Sequence, residues 1–335
     1  MEFFRKETHI DFIGRRRVPI AISVVLLIGT FFLLFTRGLN FGLDFTGGTL
    51  VEVSYQEPVE VASVRKQLAD AGMADTVVQH FGTSRDVMIR IPVRKETDSA
   101  TLSNEVVTIL RSTVGEKMVQ SRPGKAQQCS SPNATGIKDC QLQVRRVEFV
   151  GPQVGEELTE QGGLALLYTL IAILIYVMIR FEWRFAIGAI IAIAHDVLLT
   201  FGFFSLMQLE FSLSVLAALL AVLGYSLNDT IVVFDRIREN FRRMRKGSNV
   251  EVMNTAINQT LSRTIITSAT TMLTVLALFF FGGEIIHGFS IALIVGIFVG
   301  TYSSIYIATP AVLAMGVSRD DLMPVKKEGS GDELP

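Results

Sequence analysis

The stretch "LGYSLNDTIVVFDRIREN", Leu223 to Asn240, decides how this chain is read. Its first half completes an apolar run, Phe211–Phe234, that suits lipid, yet Asn228 and Asp229 lie inside it and a second acid, Asp235, follows at its exit. A carboxylate at membrane depth costs roughly 2.5–3.5 kcal/mol on insertion scales, so it needs a reason to be there. Five more apolar runs surround this one: Val18–Phe35, Gly162–Ile179, Phe185–Met207, Ile265–Phe281 and Phe289–Ala314. Each approaches the about 20 residues that span hydrocarbon as helix, and helix is required because lipid cannot satisfy a free N–H or C=O. Of 335 residues 49% are hydrophobic, and the mean hydropathy is +0.42.

The expected architecture is a polytopic α-helical membrane protein with six transmembrane helices and an α+β domain between the first two. Its parts are an N-terminal segment 1–17, a first helix 18–36, a water-soluble domain 37–160, a five-helix membrane domain 161–317 with an internal segment 236–262, and a tail 318–335. Arg15, Arg16 and Arg17 before the first run resemble a signal-peptide start, but no A-x-A site follows, so the helix is read as uncleaved. Basic residues set orientation through short loops. They gather in the N-terminus (Arg5, Lys6, Arg15–Arg17), beside Arg180 and Arg184, between the fourth and fifth runs (Arg236, Arg238, Arg242, Arg243, Arg245, Lys246, Arg263) and in the tail (Arg319, Lys326, Lys327). The intervening "QLE" and "GGEIIHG" carry no Lys or Arg, so both termini are expected to be cytoplasmic. The net charge of −1 carries no information about partners; its distribution does.

Within 37–160, "TLVEVSY", "DTVVQHFG", "DVMIRIPV" and "QLQVRRVEFV" read as strands, with "TSR" as the turn between the middle two. Val59–Gly72 and Asp98–Gly115 read as helices, the second started by Asp98 or Ser99. The order β-α-β-β-α-β is ferredoxin-like, and Ser121–Lys138 reads as an insertion. Cys129 and Cys140 fall in or beside that insertion, where an oxidising compartment permits a bridge. Two unpaired thiols are the alternative. "FGLDFTGG", Phe41–Gly48, lacks the G-K-[ST] of a phosphate loop. It reads as a tight turn in which Gly42, Gly47 and Gly48 supply backbone freedom. His80 has no second ligand at metal spacing and reads as a solvated strand-end residue.

Three runs carry the polar residues. His195 and Asp196 sit near the middle of the third. Asp229 lies beyond the midpoint of the fourth, toward its exit, with Tyr225 and Ser226 one turn earlier on its face and Asn228 adjacent. The fifth opens "SRTIITSATT", where Arg263 is followed by a stripe of Thr264, Thr267, Ser268 and Thr271. Ser and Thr in membrane helices often only back-bond to carbonyls, Arg263 can serve as an end anchor, and Asp235 beside Arg236 and Arg238 reads as a paired end group. Asp229 and the His195–Asp196 pair lack so inexpensive an account and are the candidate proton-pathway residues, with Arg263 as counter-charge. The sixth run adds Gly296 and Gly300, a GxxxG pair suited to close helix contact.

An intramembrane aspartyl protease is disfavoured, since Tyr225 stands four residues from Asp229 and no glycine immediately precedes either acid. A metal site lacks a second histidine within helical reach. "RIRENFRRMRK" lies directly below two membrane helices, so it reads as a juxtamembrane anchor and not as a nucleic-acid contact. No cofactor and no enzymatic activity are expected.

These motifs together resemble the SecD/SecF family of bacterial protein-export membrane proteins, related to the resistance-nodulation-division transporters. "FGLDFTGG" is similar to the family's G-x-D-F-T-G-G motif, placing Gly42, Asp44, Gly47 and Gly48 in it. "GYSLNDTIVVFDRIREN" and "SRTIITSATT" are similar to its fourth- and fifth-helix signatures. The resemblance runs nearly end to end and points to the SecF side of the family. It implies a bacterial inner-membrane location, a periplasmic α+β domain, and a complex with SecD beside the SecYEG channel and YajC. It further implies that proton flow drives late translocation and release of preproteins, and that Asp229 and Arg263 match the family's proton-pathway residues. The alternative is a scaffolding subunit, with proton coupling residing in SecD.

Overall fold

The computed structural model describes residues 8–93, 99–120, 126–130, 137–244, 246–283 and 286–317. The chain divides into two compact units, Met1–Asn40 with Ala165–Pro335, and Phe41–Leu164. In chain order the elements begin with α1 (Arg17–Thr36), β1 (Asn40–Phe41), α2 (Leu43–Thr46), β2 (Gly48–Tyr55), α3 (Val61–Asp70), β3 (Val77–Phe81), β4 (Thr83–Ile91) and α4 (Ser99–Val114). There follow β5 (Lys117–Gln120), β6 (Gln128–Ser130), β7 (Ile137–Asp139), β8 (Leu142–Val150), α5 (Pro152–Arg180), α6 (Trp183–Met207), β9 (Glu210–Phe211) and α7 (Leu213–Arg243). The last are α8 (Asn249–Phe281), α9 (His287–Ser303), a π-helical turn (Ser304–Ala308) and α10 (Thr309–Ala314).

Among the described residues, six helical spans are long and apolar enough to cross a membrane: α1, α5, α6, α7, α8 and the continuous His287–Ala314. Five of them contain their apolar runs whole, α7 contains all of its run but Phe211 in β9 and Ser212 at the N-cap, and several reach well beyond the runs. α5 begins at Pro152, before the boundary at 160 read from the sequence, and the division between units falls at Leu164/Ala165. α7 continues to Arg243, and α8 opens at Asn249, so most of segment 236–262 is helix. Hydropathy marks only the part of a helix that lipid would cover; the ends are held by other means. Ser248 accepts from the Glu251 backbone N–H while the Glu251 side chain accepts from Ser248 N, a reciprocal cap worth about 1 kcal/mol. Along α7, Glu239 pairs with Arg236 at 2.8 Å and Arg243 at 3.0 Å, and Asp235 pairs with Arg238 at 2.8 Å and Arg180 at 3.5 Å. Residues 1–7, 245 and the tail 318–335, with Arg5, Lys6, Arg245, Arg319, Lys326 and Lys327, lie outside the described residues.

α6 and α7 are the most enclosed spans, while few residues of α1, α5 and α8 are fully buried. Close approach between α7 and α9 comes from the two glycines: a Cβ on Gly296 would lie 2.2 Å from Val222 Cγ2, and one on Gly300 would lie 3.0 Å from Ser226 Cβ. The ring of Phe234 meets Phe185 edge-on with centroids 5.0 Å apart. The π turn has a local cause. Pro310 follows it at the start of α10 and supplies no N–H to the ladder, and Thr309 Oγ1 donates to Ser304 O at 3.1 Å. The N-terminal stretch is tied to α8 by amides: Asn258 Oδ1 accepts from Ile10 N at 2.9 Å and Asn254 Oδ1 from Phe12 N at 2.8 Å.

The second unit has a four-stranded sheet in the order β3-β4-β2-β8, every neighbouring pair antiparallel. With α3 and α4 in the two crossovers this is the ferredoxin-like βαββαβ arrangement. Val51, Val53, Ile89 and Ile91 on the sheet meet Val64, Leu68, Val106 and Leu110 on the helices to form the core. Tyr55 packs at its margin, and burial pushes its hydroxyl up to about 12. Two local expectations shift. The turn between β3 and β4 is made at Gly82, φ 81°, while "TSR" already belongs to β4, because only a glycine tolerates that backbone at no steric cost. Gly115, φ 73°, follows α4; Asp98 lies outside the described residues. β5, just before the insertion, pairs with β6 inside it, and β6 pairs with β7 at its end, making a three-stranded sheet; 121–125 and 131–136 of the insertion lie outside the described residues. Cys129 and Cys140 are joined by a disulfide, their Cα atoms 4.9 Å apart.

Two polar clusters in the membrane helices and the family they mark

Asp196 is completely enclosed at the centre of α6. Its Oδ1 shares a hydrogen bond with the neighbouring His195 Nδ1 at 2.9 Å. Its Oδ2 accepts from Ser226 Oγ of α7 at 2.5 Å and from Ser303 Oγ of α9 at 2.8 Å. The His195 Nε2 is 3.2 Å from Ser23 Oγ of α1, which in turn is 3.0 Å from Tyr302 OH. Tyr302 OH donates to Pro19 O at 2.7 Å. One carboxylate and its histidine therefore link α6, α7, α9 and α1. Such a network repays its burial because every member finds a partner.

Asp229 heads the second cluster. It is 2% exposed, and Ser268 Oγ of α8 donates to its Oδ2 at 3.4 Å. Ser268 also accepts from Tyr225 OH at 3.1 Å and lies 2.8 Å from Thr301 Oγ1 of α9. Arg263 acts on Asp229 electrostatically, but among the described residues no ion pair within 4.0 Å joins them. The expected Asp229–Arg263 facing is thus a separated pair, bridged in charge and not in contact.

The structure regroups several residues. Ser226, read as part of Asp229's face, gives its hydroxyl to Asp196. The three-residue spacing allows either direction, and Gly300 leaves room beside Ser226 for α9 to bring Ser303 to the same carboxylate. Asn228 is exposed and belongs to neither cluster. In the α8 stripe, only Ser268 reaches across. Thr267 donates to Arg263 O at 3.0 Å and Thr271 to Thr267 O at 2.9 Å, the back-bonding reading. Among the described residues, the buried hydroxyls of Thr264 and Thr230 have no hydrogen-bond partner. Ser23, Thr301, Tyr302 and Ser303 went unread in the sequence. Thr301, Tyr302 and Ser303 are consecutive, yet they reach Ser268 of α8, Ser23 of α1 and Asp196 of α6.

The Gly-rich motif is a backbone device. Gly47 (φ 66°) and Gly48 (φ 124°) adopt conformations that side chains avoid, and a Cβ on Gly48 would lie 2.4 Å from Ile91 O. Gly42, φ −70°, needs no such freedom and instead stands at the N-cap of α2, with Asp44 in its first turn. His80 is exposed on β3 opposite Val87. Glu116 lies beside the Cys129 and Cys140 sulfurs, but the disulfide takes both thiolates, and the carboxylate accepts from Gln141 N at 2.9 Å. The group does not fit a metal.

A sheet domain inserted after the first of six spanning helices, with hydrogen-bonded carboxylates inside the remaining five, defines a polytopic membrane protein with intramembrane ionisable clusters. Comparison with known proteins gives the family. The description "protein export membrane protein SecD/SecF, C-terminal" matches residues 131–318, and the "SecD/SecF GG motif" matches residues 32–59. The protein translocase subunit SecF of Vibrio alginolyticus is 47% identical, the alignment covering 100% of this chain and 99% of that one. The SecF subunit of Pseudomonas aeruginosa is 47% identical over 97% of this chain and 98% of its own. The crystal structure of SecDF, a translocon-associated membrane protein from Thermus thermophilus, superposes with a TM-score of 0.78 at 36% identity. It covers 93% of this chain, which spans 39% of the SecDF chain. The chain belongs to the SecD/SecF family of protein-export membrane proteins, on its SecF side.

Proposed function

We propose that this subunit works with SecD in the bacterial inner membrane, beside SecYEG and YajC, to let proton flow drive late translocation and release of preproteins. Both termini are cytoplasmic in this reading, and the α+β domain is periplasmic. Asp229 is the proton carrier, Arg263 its counter-charge, and the His195–Asp196 pair a second ionisable station. The observation that carries the reading is the Asp229 cluster. A buried carboxylate has one long hydrogen bond from Ser268 and a guanidinium within electrostatic reach but out of contact. A group held so loosely can change its protonation without dismantling the bundle, and a small movement of α8 against α7 changes how strongly the cation favours its charged form. The unpartnered hydroxyls of Thr230 and Thr264 add hydrogen-bonding capacity on the same two helices. A transmembrane potential supplies about 2.3 kcal/mol per charge per 100 mV to such a cycle.

The test is Asp229→Asn, scored for proton-gradient-dependent export and for co-purification with SecD. The expected result is lost gradient dependence with assembly retained; normal export refutes the role. The second reading, a scaffold with coupling confined to SecD, draws on the tight α7–α9 packing at Gly296. It requires Asp229→Asn to be silent while Gly296→Leu, which drives a side chain into Val222, abolishes assembly.

A further inference from the structure

An apolar recess of about 630 Å³ opens between α1, α6, α8 and α9. Its walls include Gly29 and Leu33 of α1, Leu206 of α6, Met272 of α8 and Phe298 of α9. Along α1 it runs from Val25 to Leu33, about 12 Å at 1.5 Å per residue, toward the end of the helix away from the N-terminus. Thr30 is the one polar residue in the lining and is itself buried, so water entering there would lack the two to four polar partners it needs. One turn beyond Leu33 stands Arg37, exposed at the C-cap of α1, with Nη1 3.5 Å from the carbonyl of Leu206, itself part of the lining. A guanidinium carries five donors, and this carbonyl engages one.

We infer that the recess is a phospholipid site: one acyl chain lies along it and the lipid phosphate is held by Arg37. The two halves fit one molecule. The cation is joined through Leu206 to the wall of the recess, and phosphate is the anion that bilayer lipid offers at that depth. An extended hydrocarbon chain is thin enough to lie along the recess beside α1, with the guanidinium at its end. Gly29 supplies a clean probe, because among the described residues nothing beyond its own stretch of helix backbone lies within 4 Å of where its Cβ would stand. A larger side chain at that position can enter the recess without displacing protein.

The experiment is native mass spectrometry of the full chain purified from its membrane, alone and with its co-purifying partner subunits. Bound phospholipid is counted as collision energy strips the loosely held annulus. The wild type should retain one phospholipid after the annulus is gone. Gly29→Phe and Arg37→Gln should each lower that occupancy by about tenfold or more, while Leu167→Phe, on the exposed face of α5, leaves it unchanged. Three results overturn the inference: retention unchanged in both variants, loss in Arg37→Gln alone, or disappearance of the lipid when the partner subunits are present. The last would mean that protein, not lipid, covers the recess. Gly29→Ala, which adds a single methyl, should keep the lipid and guards against misfolding as the cause of loss.

Discussion

Replacing Asp196 with alanine should loosen α6 from α7 and α9 through one side chain and leave His195, the link to α1, without its carboxylate. The carboxylate takes hydrogen bonds from Ser226 at 2.5 Å and Ser303 at 2.8 Å and shares one with His195 at 2.9 Å. Interhelical hydrogen bonds in membrane proteins average about 0.6 kcal/mol and reach about 1.7, so the two that cross to α7 and α9 amount to roughly 1–3 kcal/mol. The cost is not shared evenly. Ser303 has a fallback, since its hydroxyl already lies 3.2 Å from Gly300 O. Ser226, by contrast, has Asp196 as its hydrogen-bond acceptor. The loss should therefore fall near the middle of the range, with Ser226 contributing most. Asp196→Asn keeps the size and one acceptor oxygen and should cost about 1 kcal/mol. Ser226→Ala should also cost about 1 kcal/mol, and the double variant Ser226→Ala with Asp196→Ala should lose less than the sum by a similar amount. The assay is reversible unfolding in mixed micelles, titrated with a denaturing detergent and followed by helical circular dichroism. A change below about 0.5 kcal/mol for Asp196→Ala, or strict additivity with Ser226→Ala, refutes the shared hub.

Three further outcomes concern the α+β unit. Gly48→Ala forces a Cβ to 2.4 Å from Ile91 O at φ 124°, so it should lower stability by about 1–3 kcal/mol, read as a shift in thermal midpoint. Replacing Cys129 and Cys140 with serine, or reducing the bridge, should cost about 3 kcal/mol in denaturant unfolding. Tyr55 titrates at about 12 in the fold and near 10 when unfolded, so the unfolded chain releases its proton first. Stability should then fall by about 2–3 kcal/mol as pH rises from 10 to 12, and Tyr55→Phe should flatten that decline.

The sequence revealed most where physics leaves no choice. Lipid demands helix, so six apolar runs became six spans, and alternation with glycine stops gave the ferredoxin-like order. Helix lengths were less visible because hydropathy falls silent outside the hydrocarbon. The signal that could have placed the start of α8 is the Ser248–Glu251 cap, a local motif independent of hydropathy. The acids of both clusters stood out by cost, and Tyr225 and Ser268 were read beside Asp229, but the partners on α1 and α9 did not stand out. Ser23, Thr301 and Ser303 carry aliphatic hydroxyls of the same kind as Thr267 and Thr271, which only back-bond, and Tyr302 stands between two of them. Whether a hydroxyl reaches across depends on how closely neighbouring helices approach, and Gly300 permits that approach at Ser226 and Ser303. Helical periodicity alone could not assign Ser226 to Asp196 instead of Asp229.

Successive residues on an α-helix point about 100° apart. Thr301, Tyr302 and Ser303 therefore radiate to three different neighbours, and α9 sits among them like a cog whose adjacent teeth each engage a separate wheel. Such a helix cannot turn about its own axis by one tooth without disengaging all three contacts together. Any change in the Asp229 cluster that rotates α9 is delivered at once to Asp196 and to α1, whereas a sliding motion along the axis shears all three without exchanging them. The geometry makes rotation of α9 an all-or-none event, and the π-helical turn directly after Ser303, where the backbone ladder is already loosened, is where that twist would be absorbed.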